Sequence, residues 1–281
     1  RVSNYILHDF VQGFHHRELF NGFYLSIGVT FHNRYSIEDY DATSIINEII
    51  EEDDPLVFDN FQAVISDLKI SYTPDQRYMR EPTRNVVLGS NYPTFQFLYR
   101  KGWNEIFGSD VSFDYLEILI KQNLTISTLG NSNYTIQVGK FTNTKALHEL
   151  DVKRFRESDQ YLYSTPLFSF QLLDTSLFAT DYYFEAHWIH HFNGALVNNI
   201  PLVKKLGIRT VAGAGLMWVR ESNYRHEELF AGIERIFKLG RRRRLRLGGY
   251  GVIGESSSTP FSTGWKVSFD IIDTWKRDWS F

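Results

Sequence analysis

The chain has 281 residues with a formal net charge of −3, so its charge gives no reason to expect nucleic acid or an acidic substrate as a partner. No stretch approaches the roughly 18 consecutive apolar residues of a membrane helix. The absence of cysteine excludes disulfides, thiolate metal sites and a cysteine nucleophile.

The first clear element is the segment 21–34, in which Phe23, Ile27 and Phe31 belong to a series of apolar residues at every second position. Because successive side chains of a strand point to opposite faces, this spacing predicts a strand with one apolar and one polar face. The same alternation predicts further strands near 1–10, 61–73, 84–92, 94–100, 111–127, 133–140, 182–192, 207–220, 226–237, 242–254 and 264–272.

The predicted strands and their connections indicate an all-β fold, a transmembrane antiparallel β-barrel of the outer-membrane type. Several strands run to ten residues or more, whereas soluble sandwiches usually use about five or six. Tight turns at 128–133 and 238–244 contrast with long connections at 36–60, 101–110 and 143–179, which we expect at opposite rims. No linker divides the chain, so residues 1–281 are predicted to form a single barrel domain.

In this interpretation the odd-numbered residues from Phe23 to Phe31 face lipid, and Tyr24, Ser26, Thr30 and His32 line the lumen. The alternation elsewhere also places charged and polar side chains on the lumen side. The lumen-facing candidates are Glu185, His187, His191, Arg244, Arg246 and Lys266.

Glu185, His187 and His191 carry side chains that bind zinc or transfer protons in other proteins. At positions i, i+2 and i+6 of one strand these groups spread over more than about 13 Å, which is too far for a single ion. We therefore expect a polar lumen lining and no metal site. The sequence contains no nucleophile elbow, phosphate loop or dinucleotide-binding turn, so no catalytic residue and no cofactor is predicted.

Two segments carry a strong local charge. Residues 36–60 hold nine acidic residues and neither lysine nor arginine, and 44–54 within them could form a short helix. The run Arg241–Arg244, followed by Arg246, could bind phosphate of lipid headgroups or nucleic acid. A solvated acidic loop and a solvated basic rim are the favoured interpretations, because such runs are common on surfaces.

Three longer segments carry a family resemblance: "PDQRYMREPTRNVVLGSNYPTFQFLYRKG" (74–102) with "GSDVSFD" (108–114), "HHFNGALVNNIPLVKKLGIRTVAG" (190–213) and "ELFAGIERIFKLGRRRRLRLGGYG" (228–251). They resemble a family of large outer-membrane proteins of unassigned function. Members of that family usually carry a carboxypeptidase-regulatory-like domain ahead of a C-terminal barrel. The resemblance runs from about residue 14 to the C-terminus.

The C-terminal third of that family is similar in turn to BamA-type barrels, which insert or translocate proteins at the outer membrane. The resemblance implies that residues 143–179 fold into the lumen, with Arg154 and Phe155 in place of an Arg-Gly-aromatic element. The missing glycine and the presence of Ile189, where a glutamate is expected, are departures from the BamA pattern. About eleven strands are counted against the sixteen of such barrels, so we expect the first strands and the regulatory-like domain to lie outside this chain or in another chain.

The C-terminal aromatic Phe281, with Trp275 and Trp279, resembles the signal by which such barrels are recognised for insertion. The resulting expectation is a non-enzymatic protein of the bacterial outer membrane that acts in the assembly or transport of envelope components. Its expected partners are outer-membrane lipid and other outer-membrane or periplasmic proteins, without nucleic acid. The alternatives are a lipid hydrolase embedded in a barrel and a soluble β-sandwich that binds a partner.

Overall fold

Eleven long strands form one antiparallel sheet in the computed structural model, which describes residues 6–36, 58–82, 85–173, 176–197, 204–240 and 243–273. The strands are β1 (Leu7–Phe20), β2 (Phe23–Tyr35), β3 (Phe61–Tyr72), β4 (Arg77–Arg80), β5 (Asn85–Gly89), β6 (Thr94–Trp103), β7 (Ser112–Ile126), β8 (Gly130–Ala146), β9 (Lys153–Arg154), β10 (Phe178–Ala179), β11 (Tyr182–His191), β12 (Ile208–Val219), β13 (Tyr224–Leu239), β14 (Arg243–Ser256) and β15 (Ser262–Asp273).

The order across the large sheet is β1-β2-β3-β6-β7-β8-β11-β12-β13-β14-β15, and every neighbouring pair is antiparallel. These eleven strands contain 10 to 17 residues each, so the prediction of an all-β antiparallel fold with long strands is confirmed. β1 and β15 are the edge strands, and within the described residues they do not pair with each other. No described helix is long and apolar enough to cross a membrane.

The prediction of strand boundaries was wrong at two places. The first strand covers 7–20 rather than 1–10, and it forms a hairpin with β2 through a turn at Asn21 and Gly22. Gly22 has a φ of 76°, a backbone conformation that glycine adopts without steric cost. The strand predicted at 84–92 is shorter, β5 at Asn85–Gly89, and it pairs with β4 outside the large sheet.

Some predictions lie outside the described residues. They concern most of the acidic connection, including the helix at 44–54, together with Arg241, Arg242, Trp275, Trp279 and Phe281.

The two faces of the sheet differ in what they carry and in what covers them. One face, which we call the open face, bears exposed apolar side chains such as Ile27, Leu229 and Trp265, which are 47%, 57% and 68% exposed. The other, the covered face, bears Glu228 and Lys266, each 2% exposed. The strand registers place equivalent residues of neighbouring strands on the same face across all eleven strands. The sheet therefore exposes its apolar face and buries much of its polar one.

The buried apolar residues lie between the covered face and residues 147–181, which join β8 to β11 and which we call the connecting segment. Phe155, Phe170 and Ala179 of this segment pack with Tyr183 and Met217 of the sheet in one buried cluster. A second cluster brings Tyr163, Leu167 and Leu172 of the segment against side chains of β11 to β14. The connecting segment thus supplies the second layer of the core.

The two ends of the sheet hold different connections. The loop end carries the connections 36–60, 104–111, 147–181, 220–223 and 257–261, and the turn end carries 21–22, 73–93, 127–129, 192–207 and 240–242. The predicted tight turns and the predicted long connections lie at opposite ends, as the sequence indicated. Two further long connections, 73–93 and 192–207, also lie at the turn end.

Candidate functional site

Four ionisable side chains form a compact group on the covered face, where the connecting segment crosses the sheet. Glu185 and His187 lie on β11, and His226 and Glu228 lie on β13, with β12 between them. The Nε2 atom of His187 is 2.9 Å from Oε1 of Glu185, and Nε2 of His226 is 3.3 Å from Oε2 of Glu228. Each histidine is therefore held by the glutamate two residues away on its own strand. We call these four residues the anchor cluster.

Phe170 of the connecting segment lies in a depression that a glycine opens in the middle of the anchor cluster. A Cβ atom at Gly215 of β12 would come within 3.1 Å of the Phe170 ring, so only glycine leaves full room for it. The ring centroid of Phe170 is 4.5 Å from that of His187 and 5.3 Å from that of His226. Phe170 is fully buried, and it fixes the position of the segment on the sheet.

Glu228 binds the main chain of the connecting segment directly. The amide of Gln171 donates to both carboxylate oxygens of Glu228 at 2.9 and 2.7 Å, and the amide of Leu172 donates at 3.0 Å. Hydrogen bonds from N–H groups to a carboxylate are among the stronger ones, and burial makes their loss costly. Glu228 therefore acts as an attachment point for residues 170–172.

The connecting segment also contacts Glu185 at its start. Nζ of Lys153 lies 3.4 Å from Oε2 of Glu185. The next residue, Arg154, pairs with Glu149 of the same segment at 3.2 Å and borders a cavity of about 160 Å³. The predicted candidate Arg154 is thus half-buried at the margin of the contact, whereas Lys153, which the sequence did not single out, makes the ion pair with the sheet.

Phe155, the other candidate in this segment, lies in the buried cluster. Its ring packs edge-to-face on Tyr183 of β11, with centroids 5.4 Å apart. The Tyr183 hydroxyl lies 2.6 Å from that of Tyr115 and 2.9 Å from Glu117. Phe155 therefore packs against a hydrogen-bonded network of the sheet.

The far part of the segment reaches β14 and β15. Tyr163 stacks on Tyr250 with ring centroids 3.7 Å apart, and burial raises the pKa of Tyr163 well above its usual value. The main-chain amide of Tyr163 donates to the carbonyl of Val267 at 2.8 Å, and the amide of Val267 donates to the carbonyl of Tyr161 at 2.9 Å. Lys266 donates to the carbonyl of Asp159. The segment therefore occupies part of the outer edge of β15.

The remaining candidates lie nearer the turn end of the sheet. Nδ1 of His191 is 3.9 Å from Oε2 of Glu234. Arg246 pairs with Asp270 at 2.9 Å, and Arg244 is exposed. The six lumen-facing candidates share the covered face, but the structure separates them into two groups. Glu185, His187 and Lys266 contact the connecting segment through Lys153, Phe170 and Asp159. His191 and Arg246 pair with carboxylates of the sheet itself.

Neither His226 nor Glu228 was predicted from the sequence, although both contact the connecting segment. Their signal was the alternation in "HEELFAGIE" (226–234), which places both on the face opposite Leu229. The serines of the connecting segment bond within it: Ser158 donates to the carbonyl of Leu162 at 2.8 Å, and Ser169 to that of Ser164 at 2.7 Å. Among the described residues no group of three His, Asp or Glu side chains is arranged to hold a metal ion. The contacts of the anchor cluster thus hold the connecting segment on the covered face of the sheet.

Comparison with known proteins places the chain in a family. Residues 2–233 match the model of the C-terminal domain of a family of unknown function, DUF5686. Neither the curated proteins nor the solved structures that were compared with the chain gave a significant match. Since the matched residues make up most of the chain, the protein belongs to this family of unknown function and contains its C-terminal domain.

Proposed function

We propose that this chain is the C-terminal part of a transmembrane β-barrel of about sixteen strands in the bacterial outer membrane. In this proposal it acts without enzymatic chemistry in the assembly or transport of envelope components, as part of a larger outer-membrane complex. A carboxypeptidase-regulatory-like domain and additional strands complete the protein, and BamA-type barrels are its distant relatives.

The observation that carries this proposal is the distribution of burial between the two faces. Trp265, Phe269 and Ile271 of the open face are 68%, 65% and 57% exposed, whereas Glu185 of the covered face is 4% exposed. A soluble sheet protein places its apolar face in the core, and a contiguous apolar surface of this extent is unfavourable in water. Lipid removes that cost, and a strand in a barrel alternates apolar outward and polar inward side chains.

The connecting segment supports a role in which the interior of the barrel is occupied by a fixed segment. Its contacts reach from Asp151, which forms a bidentate pair with Arg34 at 2.7 and 2.8 Å, to Tyr163 at the opposite edge of the sheet. A long loop folded onto the barrel wall is also what the resemblance to BamA-type proteins implies. We infer that the connecting segment controls the space inside the barrel. Substitutions that weaken its attachment to the sheet test this role.

Two adjacent residues of β2 provide a matched test of the membrane proposal. Ile27 lies on the open face, and Ser26 lies on the covered face opposite Lys69 of β3. Ile27→Asp should cost about 2 kcal/mol because it puts a carboxylate against lipid, and folding into bilayers should fall roughly thirtyfold. Ser26→Asp should fold as wild type, because Lys69 can pair with the new carboxylate.

The measurement is the fraction of protein that resists extraction by carbonate and migrates differently on a gel when unheated. Equal folding of both variants in bilayers, or a wild-type protein that needs no detergent, would contradict the barrel. Thr30 is a poorer control than Ser26, because Thr30 is only 9% exposed and a charge there would be buried.

The assembly role needs a separate test in cells. Depletion of the full-length protein should change the composition of the outer-membrane proteome or lipid, and an unchanged composition would argue against assembly or transport. The sandwich alternative gains no support, since no second sheet packs on the open face in the described part of the chain.

A further inference from the structure

Aromatic rings follow the covered face of the hairpin that β1 and β2 form. Phe10 and Phe14 point to this face from β1, because the register pairs Phe10 with His32 of β2. The two phenylalanines are 56% and 74% exposed. His16 stacks on Tyr24 nearby, with ring centroids 5.6 Å apart and nearly parallel planes. We call these five residues, Phe10, Phe14, His16, Tyr24 and His32, the aromatic ladder.

The exposure of these rings contrasts with the burial at the other edge of the sheet. Lys266 of β15 is 2% exposed on the same face, where the connecting segment covers it. The ion pair of that segment with β2, between Asp151 and Arg34, lies at the loop end, beyond the exposed rings. A further strand at the edge of β1 would pair with its main chain and would not by itself cover the rings, since side chains stand perpendicular to a sheet. Phe10 and Phe14 are therefore accessible to a ligand on the covered face.

A groove separates the aromatic ladder from β3. Gly28 and Ser26 of β2 form its floor, and the register places Phe14 of β1 on one side of Gly28 and Asp67 of β3 on the other. A Cβ atom at Gly28 would meet its nearest atoms, in Gly13 and Phe14, at 3.8 Å, so the described residues leave the space above Gly28 open. β1 and β3 lie two strand spacings apart, about 9.6 Å. The groove therefore has room for a flat ring that lies against Phe14.

The charges along the groove balance each other. Arg100 pairs with Asp67 at 2.7 Å. Lys69 faces the groove from β3, and Glu18 of β1 lies at its turn end, where one carboxylate oxygen accepts the amide of Gly22 at 3.0 Å. Lys69 and Glu18 thus add one charge of each sign, so the groove as a whole matches an uncharged ligand. Their ammonium and carboxylate groups donate and accept hydrogen bonds without attracting a net charge.

We propose that the groove beside the aromatic ladder binds a neutral oligosaccharide inside the barrel. The apolar faces of sugar rings lie against exposed aromatic side chains, and sugar hydroxyls exchange hydrogen bonds with the polar groups along the groove. Ligand sites commonly combine aromatic walls with a few polar groups that fix orientation. An anionic lipid or a nucleic acid would need an excess of positive charge instead. The inference rests on the proposed location of the covered face inside the barrel and names the class of envelope component that enters it.

The test measures binding to the full-length protein by isothermal titration calorimetry, in a detergent without a sugar headgroup. The probes are neutral hexasaccharides of glucose, mannose and galactose, with a hexagalacturonate as the charged comparison. The ladder variant is Phe10→Ser/Phe14→Ser, and the control, Phe107→Ser/Phe261→Ser, removes two exposed rings from connections at the loop end. We expect wild type and control to bind at least one neutral hexasaccharide, and the ladder variant to bind it roughly tenfold more weakly.

Two single substitutions separate stacking on a ring from contact with any apolar side chain. Phe14→Tyr keeps the ring and should bind as wild type does. Phe14→Leu keeps an apolar side chain without a ring and should bind several times more weakly. Equal affinity of these two variants would overturn the assignment of stacking to Phe14.

The remaining outcomes separate the saccharide inference from the membrane location. Folding of each protein is checked by its insertion into bilayers and by its mobility on unheated gels. A wild type that inserts but binds none of the neutral hexasaccharides, or that prefers hexagalacturonate, overturns the saccharide inference while the membrane location stands. An equal loss of binding in the control variant also overturns it. A wild type that binds a neutral hexasaccharide but does not insert into bilayers contradicts the membrane location instead.

Discussion

Replacement of Glu228 by glutamine should weaken the attachment of the centre of the connecting segment to the sheet. The carboxylate is 2% exposed and accepts the amides of Gln171 and Leu172. A glutamine keeps the size of the side chain, but it presents one oxygen and one NH₂ group, and the NH₂ group would face a main-chain N–H. With its oxygen in the place of Oε2, the glutamine still accepts from both main-chain amides, but both hydrogen bonds lose their charge and the NH₂ group lies against the Gln171 amide.

The magnitude follows from the two contacts. A hydrogen bond to a charged group contributes about 1.5–3 kcal/mol and a neutral one about 0.5–1.5 kcal/mol, so removing the charge from the two main-chain bonds should cost about 2–3 kcal/mol. Since about 1.4 kcal/mol corresponds to a factor of ten, the opening equilibrium of residues 170–172 should rise by roughly 30- to 100-fold. Amide hydrogen exchange of the peptides that cover 165–173, measured by mass spectrometry in detergent micelles, reports this change directly.

The control is Glu227→Gln on the same strand. Glu227 lies on the open face and pairs with the exposed Arg225, so its replacement should leave exchange in 165–173 unchanged. Exchange that is equally slow in Glu228→Gln and wild type would refute the reasoning, because the attachment would then not depend on the carboxylate. A loss of protection in all strands would instead show that Glu228 stabilises the whole sheet.

Two further predictions concern the sheet and the connecting segment. Gly139→Ala should destabilise the protein by about 1–3 kcal/mol, because its Cβ would lie 2.3 Å from the Tyr183 ring; Gly251→Ala, with no atom within 4 Å, should be near neutral in urea unfolding. Burial lowers the pKa of His148, and the charge of Arg34 lowers it further, whereas Asp151 opposes the shift. The unfolded chain therefore binds more protons at this histidine than the folded protein does. The stability that is present above about pH 6.5 is lost as the pH falls. His148→Gln should flatten the decline in melting temperature between pH 7.5 and 5.5; an unchanged decline would contradict this assignment.

The alternation of side chains made much of the fold predictable. In β2, β6, β11 and β15 most residues at every second position are apolar, and the structure places these residues on one face of one sheet. The prediction succeeded because the period of a strand is two, whatever its neighbours are. The long connections at 36–60 and 143–179 were also recognised, since their polar residues interrupt the pattern.

Other features could not be predicted without knowing which strands pair with each other. The strand at 7–20 was placed too early because its sequence is mixed in polarity on both faces, although Asn21-Gly22 is a strong hairpin signal. The segment 84–92 has the composition of a strand of the large sheet, yet β5 pairs with β4 outside it. Composition alone does not state which strand becomes a neighbour, because pairing depends on the whole set of competing strands.

The candidate site shows the same division. The sequence indicated that Glu185 and His187 share one face of a strand, and the resemblance directed attention to Arg154 and Phe155. The sequence did not indicate that Glu228, more than 50 residues further along the chain, would accept hydrogen bonds from main-chain amides of the connecting segment. Nor did it indicate that a glycine on β12 would make room for Phe170.

The sequence by itself determined the class of secondary structure, the length of the strands and which side chains share a face. These properties are local, because they follow from the alternation of a single extended chain. Only the tertiary structure decided which face is covered, which segment covers it and which carboxylate holds that segment. Those properties depend on pairing in register between strands that are distant in the sequence. The free energy of this pairing depends on both partners, so no single segment of the sequence reveals it.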